Sequence, residues 1–149
     1  MVLLFFTLKP TSMNTKTLLA GLLAGIITFL LGWLIFGMLL MDFYMSNSTL
    51  YTGLMKDPPD FVAIFIANLS WGLLIAYIFN LAGIKTTQNG AIKGVIIFFL
   101  VVLGVDLLYY AQMNLFGLKV ILVDVIANVV LGAIVGAFVG WWYGRPGKA

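Results

Sequence analysis

The sequence lacks cysteine and histidine altogether. The first absence excludes disulfide bonds and thiolate chemistry. The second removes the commonest metal ligand and the usual proton shuttle near neutral pH. Together they exclude most familiar active-site chemistries. We therefore expect a protein that is not an enzyme, with no catalytic residue, no metal site and no cofactor.

Charged residues are scarce as well. They make up 9% of the 149 residues, against about 25% in an ordinary soluble domain, while 63% are hydrophobic. A chain this short cannot bury so much apolar surface in water. The composition predicts an integral membrane protein with the lipid bilayer as its solvent. The net charge of +3 is interpreted as a topology signal and not as affinity for nucleic acid.

Four apolar stretches reach the length of about 20 residues that a transmembrane helix needs: they are 17–41, 61–82, 91–112 and 119–143. They predict an all-α fold class, a polytopic membrane protein with a four-transmembrane-helix bundle, in a single transmembrane domain over residues 1–149. The sequence Asp57-Pro58-Pro59-Asp60 breaks the chain just before the second stretch. The loops after the second and third stretches are short, so we expect the helices that they join to be antiparallel neighbours.

Basic residues favour one side of this bundle. If four spans are drawn, one side carries Lys9, Lys16, Lys85, Lys93, Arg145 and Lys148, and the other carries Lys56 and Lys119. The positive-inside rule then places both termini in the cytoplasm (N-in/C-in), with residues 1–16 as a cytoplasmic tail and 42–60 as an outer loop. Trp141, Trp142 and Arg145 are expected to anchor the inner interface.

Two segments outside the spans allow alternative interpretations. Residues 1–12, MVLLFFTLKPTS, hold too short an apolar run for a span and no basic leader of a signal peptide. One interpretation is that translation starts upstream of a natural beginning at Met13. The others are that these residues form a cytoplasmic tail or an interfacial segment. The 42–60 loop is either a short interfacial helix capped by Ser48 or a partner-binding cover over the outer mouth.

The chain contains an internal repeat. GLLAGIITFLL (21–31) aligns with GAIKGVIIFFL (90–100), and IANLSWG (66–72) aligns with IANVVLG (126–132). The repeat predicts two duplicated helical hairpins of the same orientation, related by an axis along the membrane normal.

Small residues follow one another at intervals of four in two of the spans. The fourth span carries Asp124, Asn128, Gly132, Gly136 and Gly140, and the second carries Asn68, Gly72 and Ala76. Such rows let two helix backbones approach closely, so we expect the second and fourth spans to cross, with the amides of Asn68 and Asn128 close enough to satisfy each other. Further packing roles are expected for Ser70, Gly21 and Gly25. The alternatives for the asparagines are coordination of a substrate or ion, and contact with another subunit.

Two aspartates lie inside the apolar stretches. Asp106 lies about 9 Å from the end of its helix near Gln112, and Asp124 lies about 7 Å from Lys119, at about 1.5 Å per residue. Ionisable residues within the bilayer are costly and are candidates for function. We expect Lys119 and the hydroxyls of Tyr109 and Tyr110 to satisfy the two acids near the headgroups. The alternative is that the acids approach each other and form a proton or cation site.

The stretch GIITFLLGWLIFGMLLMDFY, residues 25–44, and the plan of four spans resemble a family of uncharacterised small four-helix membrane proteins of bacteria. The likeness is carried by Gly32, Trp33, Phe36, Gly37, Asp42 and Tyr44. The resemblance implies a multi-pass protein of a bacterial inner membrane and implies no activity.

Two classes of function follow from these features. The first is a non-enzymatic packing or interaction module of the membrane, a homo-oligomer such as a dimer or part of a larger membrane complex. The alternative is a small proton- or cation-coupled transporter or channel that uses Asp106 and Asp124. A membrane enzyme with acid-only catalysis is the weakest interpretation.

Overall fold

The structure is a computed structural model that describes residues 13–145. The predictions for residues 1–12, and for Lys9 and Lys148 as topology signals, lie outside the described residues. The described chain forms helices α1 (Thr15–Leu34, continued by a π-helical turn over Ile35–Leu39), α2 (Met41–Asn47), α3 (Phe61–Leu81), α4 (Thr87–Gln112) and α5 (Leu118–Gly144). Four of these, counting Thr15–Leu39 as one, are long and apolar enough to cross a membrane. The all-α fold is confirmed, and the four predicted spans coincide with these four long apolar helices.

Polar side chains mark where three of the long helices begin. Asn14 accepts a hydrogen bond from the backbone nitrogen of Thr17 at 2.8 Å, Asp60 from Ala63 at 3.0 Å, and Thr86 from Asn89 at 3.2 Å. Each satisfies one of the backbone donors that the first turn of a helix leaves free. The predicted break before the second span is confirmed, since Asp60 at its end caps α3.

Glycine brings the long helices together in two hairpins, α1 with α3 and α4 with α5, which are the most extensive helix contacts of the fold. A Cβ atom on Gly90 or Gly94 would meet the carbonyl oxygen of Gly136 or Gly132, respectively. The neighbouring turns continue the contact, because a Cβ on Gly140 would meet the carbonyl oxygen of Thr86. The backbones of α4 and α5 therefore touch along several turns.

The first hairpin uses the same device over a shorter length. A Cβ on Gly72 would meet the backbone of Gly21 and Gly25, and a Cβ on Gly25 would lie 2.6 Å from the Cα of Leu69. The predicted crossing of the second and fourth spans through their glycines is therefore wrong. Each row faces the partner within its own hairpin, because that partner presents glycines at the matching height.

The expectation that α3 and α4 are packed neighbours is also wrong. They are joined by a short loop but make little contact along their length, apart from the rings of Trp71 and Phe98, whose centroids lie 5.9 Å apart. The reason is that α5 packs against both α1 and α3 and holds α4 to the side. Helix α5 consequently buries the largest share of its span, and α4 the smallest.

The two hairpins share one core, at the end of the bundle that carries the start of α1 and the close of α5. Its members are Ala20, Ala24, Ile75, Ala76, Phe79, Phe98, Leu131, Val135, Val139 and Tyr143. The Tyr143 hydroxyl donates to the Ala76 carbonyl oxygen at 2.9 Å, and Lys16 Nζ donates to the Tyr143 carbonyl oxygen at 3.4 Å. We call this the termini end, and the opposite end, with α2, the far end.

The predicted cluster of tryptophans and arginine forms at the termini end. The Arg145 guanidinium lies 3.4 Å from the ring centroid of Trp141 and 4.9 Å from that of Trp142. The Trp142 Nε1 donates to the Lys16 carbonyl oxygen at 3.3 Å. An aromatic and basic cluster of this kind is typical of a membrane–water interface.

Replacing Gly136 by valine (Gly136→Val) is expected to destabilise the α4–α5 pair, because the new Cβ would meet the carbonyl oxygen of Gly90 and the Cα of Gly94. Overpacking costs about 1–3 kcal/mol where side chains can yield, and here backbone must move, so we expect a loss at the upper end of that range. Gly104→Val is the matched control, since nothing lies within 4 Å of a Cβ at Gly104. Thermal unfolding in detergent measures both variants, and equal melting temperatures would contradict the backbone contact.

Candidate functional site

A groove opens where the hairpins separate toward the far end. Its volume is about 660 Å³, within the range of small-molecule sites. The aromatic side chains of Phe29, Trp33, Phe36, Phe61, Trp71 and Phe98 line it. No charged side chain is among its lining residues in the described part of the chain. The groove is therefore an aromatic cleft between helices that are long enough to cross a membrane.

Asn68 and Asn128 both line this groove, but they do not bond to each other. Asn68 Nδ2 donates to the Ile64 carbonyl oxygen at 2.8 Å, and Asn128 Nδ2 donates to the Asp124 carbonyl oxygen at 3.0 Å. The predicted amide pair is wrong because the carbonyl one turn earlier in the same helix is an acceptor that lipid cannot take away. In each asparagine, the side-chain amide oxygen is the atom that can accept a hydrogen bond from a ligand.

The predicted packing role of Ser70 is also wrong. Its hydroxyl donates to the Ile66 carbonyl oxygen at 3.0 Å, within α3, and the residue is exposed. Thr28, at the groove wall, bonds in the same way to the Ala24 carbonyl oxygen at 2.8 Å. The Ser70 and Thr28 hydroxyls are thus satisfied within their own helices and do not join neighbouring helices.

Asp124 is the centre of a polar cluster beside the groove. The Tyr44 hydroxyl donates to its Oδ1 at 2.5 Å, and Asn128 Nδ2 donates to its Oδ2 at 2.8 Å. The carboxyl group of Asp106, on α4, lies close to that of Asp124. The structure thus brings together the two acids that the sequence singled out. Asn128 belongs to both the cluster and the groove wall.

The two carboxyl groups can hold one proton between them. Oδ2 of Asp106 is buried, and no donor in residues 13–145 reaches it. Two carboxylates only accept, so they can bond to each other when one of them is protonated. Two like charges close together in a poorly hydrated place also repel each other, which a shared proton or a bound cation relieves.

The groups expected to satisfy the acids near the headgroups do something else. Lys119 Nζ donates to Asn47 Oδ1 at 3.2 Å and lies 5.3 Å from the ring centroid of Phe43. Tyr109 and Tyr110 remain exposed, at 46% and 45%. The residue that takes their place is Tyr44, which sequence reasoning missed as a partner. The available signal was a tyrosine just beyond the first span, in a segment able to fold back.

The segment after α1 lies against the far end of α5 and the loop before it. Helix α2 ends at Asn47 with Ser48 as its C-cap residue, in agreement with the predicted short helix capped by Ser48. Ser48 also forms an isolated antiparallel bridge with Phe116, and the Thr49 backbone nitrogen donates to the Leu115 carbonyl oxygen at 2.8 Å. The segment contacts the polar cluster through Tyr44, and its role as a partner-binding cover stays a prediction.

Burial raises the pKa of the Tyr44 hydroxyl above its ordinary value, and the hydrogen bond to Asp124 raises this pKa further. Tyr44 consequently remains a protonated donor at physiological pH. Among residues 13–145, no group of three or more histidine, cysteine, aspartate or glutamate side chains could hold a metal ion. The polar cluster around Asp124 offers two carboxyl groups, one phenol and one amide.

Comparisons with protein-family models, with curated proteins and with solved structures found no match. The resemblance of residues 25–44 to small four-helix bacterial membrane proteins stays a prediction. The groove and the carboxyl pair are the features on which a function can be built.

Removing the hydroxyl that holds α2 in place (Tyr44→Phe) is expected to loosen residues 41–47. A hydrogen bond to a charged group contributes about 1.5–3 kcal/mol, so amide hydrogen exchange in α2 should become faster by one to two orders of magnitude. Tyr110→Phe is the control, because Tyr110 is exposed and was the expected alternative partner. Hydrogen-exchange mass spectrometry reads both variants, and faster exchange in Tyr110→Phe alone would reverse the assignment.

Proposed function

We propose that the protein is a small proton- or cation-coupled carrier of the membrane, with the Asp106–Asp124 pair as its proton or cation site. The observation that carries the proposal is a continuous path of neighbouring side chains from the acid pair to the groove. Asp106 lies close to Asp124, Asp124 bonds to Asn128, and Asn128 lines the groove. A substrate in the groove would therefore lie one side chain away from the coupling site.

The position of the acids supports a functional role over a structural one. A carboxylate at a helix centre costs about 2.5–3.5 kcal/mol on insertion scales, and less near the interface. In the alignment of the two hairpins, Asp106 corresponds to Gly37 and Asp124 to Ile64. The first hairpin is built without acids at these positions, so the packing of two helices into a hairpin does not require them.

The proposal includes two duplicated hairpins of equal orientation. The alignment pairs Gly25 with Gly94 and Gly72 with Gly132. In the first hairpin a Cβ on Gly72 would meet Gly25, and in the second a Cβ on Gly94 would meet Gly132. Corresponding glycines thus make corresponding contacts, which supports a common origin of the two halves.

The proposed orientation has both termini in the cytoplasm of a bacterial cell, with the protein in the inner membrane. Lys16 and Arg145 lie together at the termini end, whereas Lys119 lies at the far end with α2. An excess of basic residues at the termini end supports that end as the cytoplasmic one. The groove and the acid pair then open toward the outer leaflet.

A second candidate is a non-enzymatic packing or interaction module, as a homodimer or within a larger membrane complex. The observation in its favour is α4, the least buried of the four spans. Its outward side chains include Ile96, Leu100, Leu107 and Leu108, all exposed. Either lipid or a second helix can cover such a face. The interaction module differs from the carrier because it requires a stable partner.

The test is ion flux into vesicles that contain the purified protein. We expect an imposed proton or cation gradient to drive a flux that falls about tenfold or more in Asp106→Asn and in Asp124→Asn, since the amide cannot exchange a proton. Asp57→Asn is the control, because Asp57 lies in an exposed loop.

Two results would contradict the carrier. The first is flux no higher than in protein-free vesicles, together with a stable oligomer or a co-purified partner, which would support the module. The second is a flux that both aspartate variants leave unchanged while the folded protein is recovered in normal yield.

A further inference from the structure

The groove has the shape and lining of a site for a bulky, largely apolar molecule. Aromatic rings from α1, α3 and α4 face it, among them Trp33, Trp71 and Phe98. The π-helical turn Ile35–Leu39 places Phe36 and Gly37 in the wall, and π-helical turns in otherwise regular helices frequently accompany functional sites. Gly32 leaves the wall open, since nothing lies within 4 Å of a Cβ there.

The charge beside the groove is negative. Asn128, in the wall, bonds directly to the Asp124 carboxylate, and Phe36, also in the wall, contacts the ring of Tyr44, with centroids 6.2 Å apart. Tyr44 donates to the same carboxylate. The lysine nearest to this cluster, Lys119, is engaged with Asn47 at the far end. A ligand in the groove therefore meets aromatic faces and amide oxygens, and the acid pair lies behind Asn128.

We infer that the groove binds lipophilic organic cations, that is, bulky ammonium or phosphonium ions with apolar substituents. The inference rests on the proposed carrier function for their transport and names its substrate class. Aromatic faces attract a cation most strongly when it is desolvated. The amide oxygens of Asn68 and Asn128 accept hydrogen bonds where the cation has N–H groups, and the Asp106–Asp124 pair supplies the opposite charge. A lipid acyl chain would use none of these polar groups.

The probe is tetraphenylphosphonium, with tetraphenylborate as its counterpart of the same shape and the opposite charge. Equilibrium dialysis of the full chain in lipid nanodiscs, corrected with empty nanodiscs, measures both. We expect saturable binding of the cation, at least about tenfold tighter than that of the anion. Equal affinity for both ions would overturn the inference, because it would show an apolar cleft without preference for charge.

Two variants that fill the groove, here called plugs, test whether tetraphenylphosphonium binds in it. Gly32→Leu adds a side chain into the open groove, and Ala67→Leu narrows it from α3. Each is expected to weaken tetraphenylphosphonium binding about tenfold or more. Gly104→Leu is the matched control, because Gly104 has the same empty surroundings and lies outside the groove. Gel filtration and thermal unfolding establish that each variant is folded, and the second plug serves if the first does not fold.

The remaining outcomes separate this inference from the proposed function. Binding that Asp124→Asn weakens about tenfold, and that both plugs abolish, supports the inference even if vesicles show no flux, in which case only the carrier fails. Ion flux that depends on Asp106 and Asp124, without binding of tetraphenylphosphonium, overturns the inference and leaves the carrier. Binding that neither folded plug weakens also overturns it, because the cation then lies elsewhere.

Discussion

The structure depends on contact between helix backbones at glycine. In a bilayer the hydrophobic effect does not drive one apolar helix against another, so close van der Waals packing must hold helices together. Gly90 and Gly94 meet Gly132 and Gly136 with no side chain between them. The first hairpin repeats this contact over a shorter length, around Gly72. Each hairpin is therefore held together by its own glycine contacts.

The groove is a consequence of how these units meet. Small and medium side chains, such as Ala20, Ala24 and Val139, let the hairpins share a core at the termini end. Toward the far end the facing residues are large rings, including Trp33 and Trp71, which cannot close the same gap. The separation that results has the volume of a ligand site, and it lies beside the acids.

The hydrogen bonds of the polar cluster centre on Asp124. Asp124 takes one hydrogen bond from α2, through Tyr44, and one from its own helix, through Asn128. Asp106 lies close to Asp124, and its Oδ2 accepts no hydrogen bond from residues 13–145. A site arranged in this way holds α2 over the far end and keeps one carboxyl group available for a proton or a cation. Structure and proposed function thus use the same few side chains.

Much of the architecture could be predicted from the sequence, because hydropathy and helix capping are local properties. Asp60 caps the first turn of α3 through a hydrogen bond from a residue three positions later, and the depth of Asp106 and Asp124 follows from counting residues along each helix. What the tertiary structure alone decided was how each helix is rotated about its axis. Glycines occur on all four spans, so composition does not say which row faces which helix. Asn68 and Asn128 accordingly bond within their own helices, and Tyr44, from beyond the first span, bonds to Asp124. A hydrogen bond across the fold depends on packing that no short stretch of sequence contains.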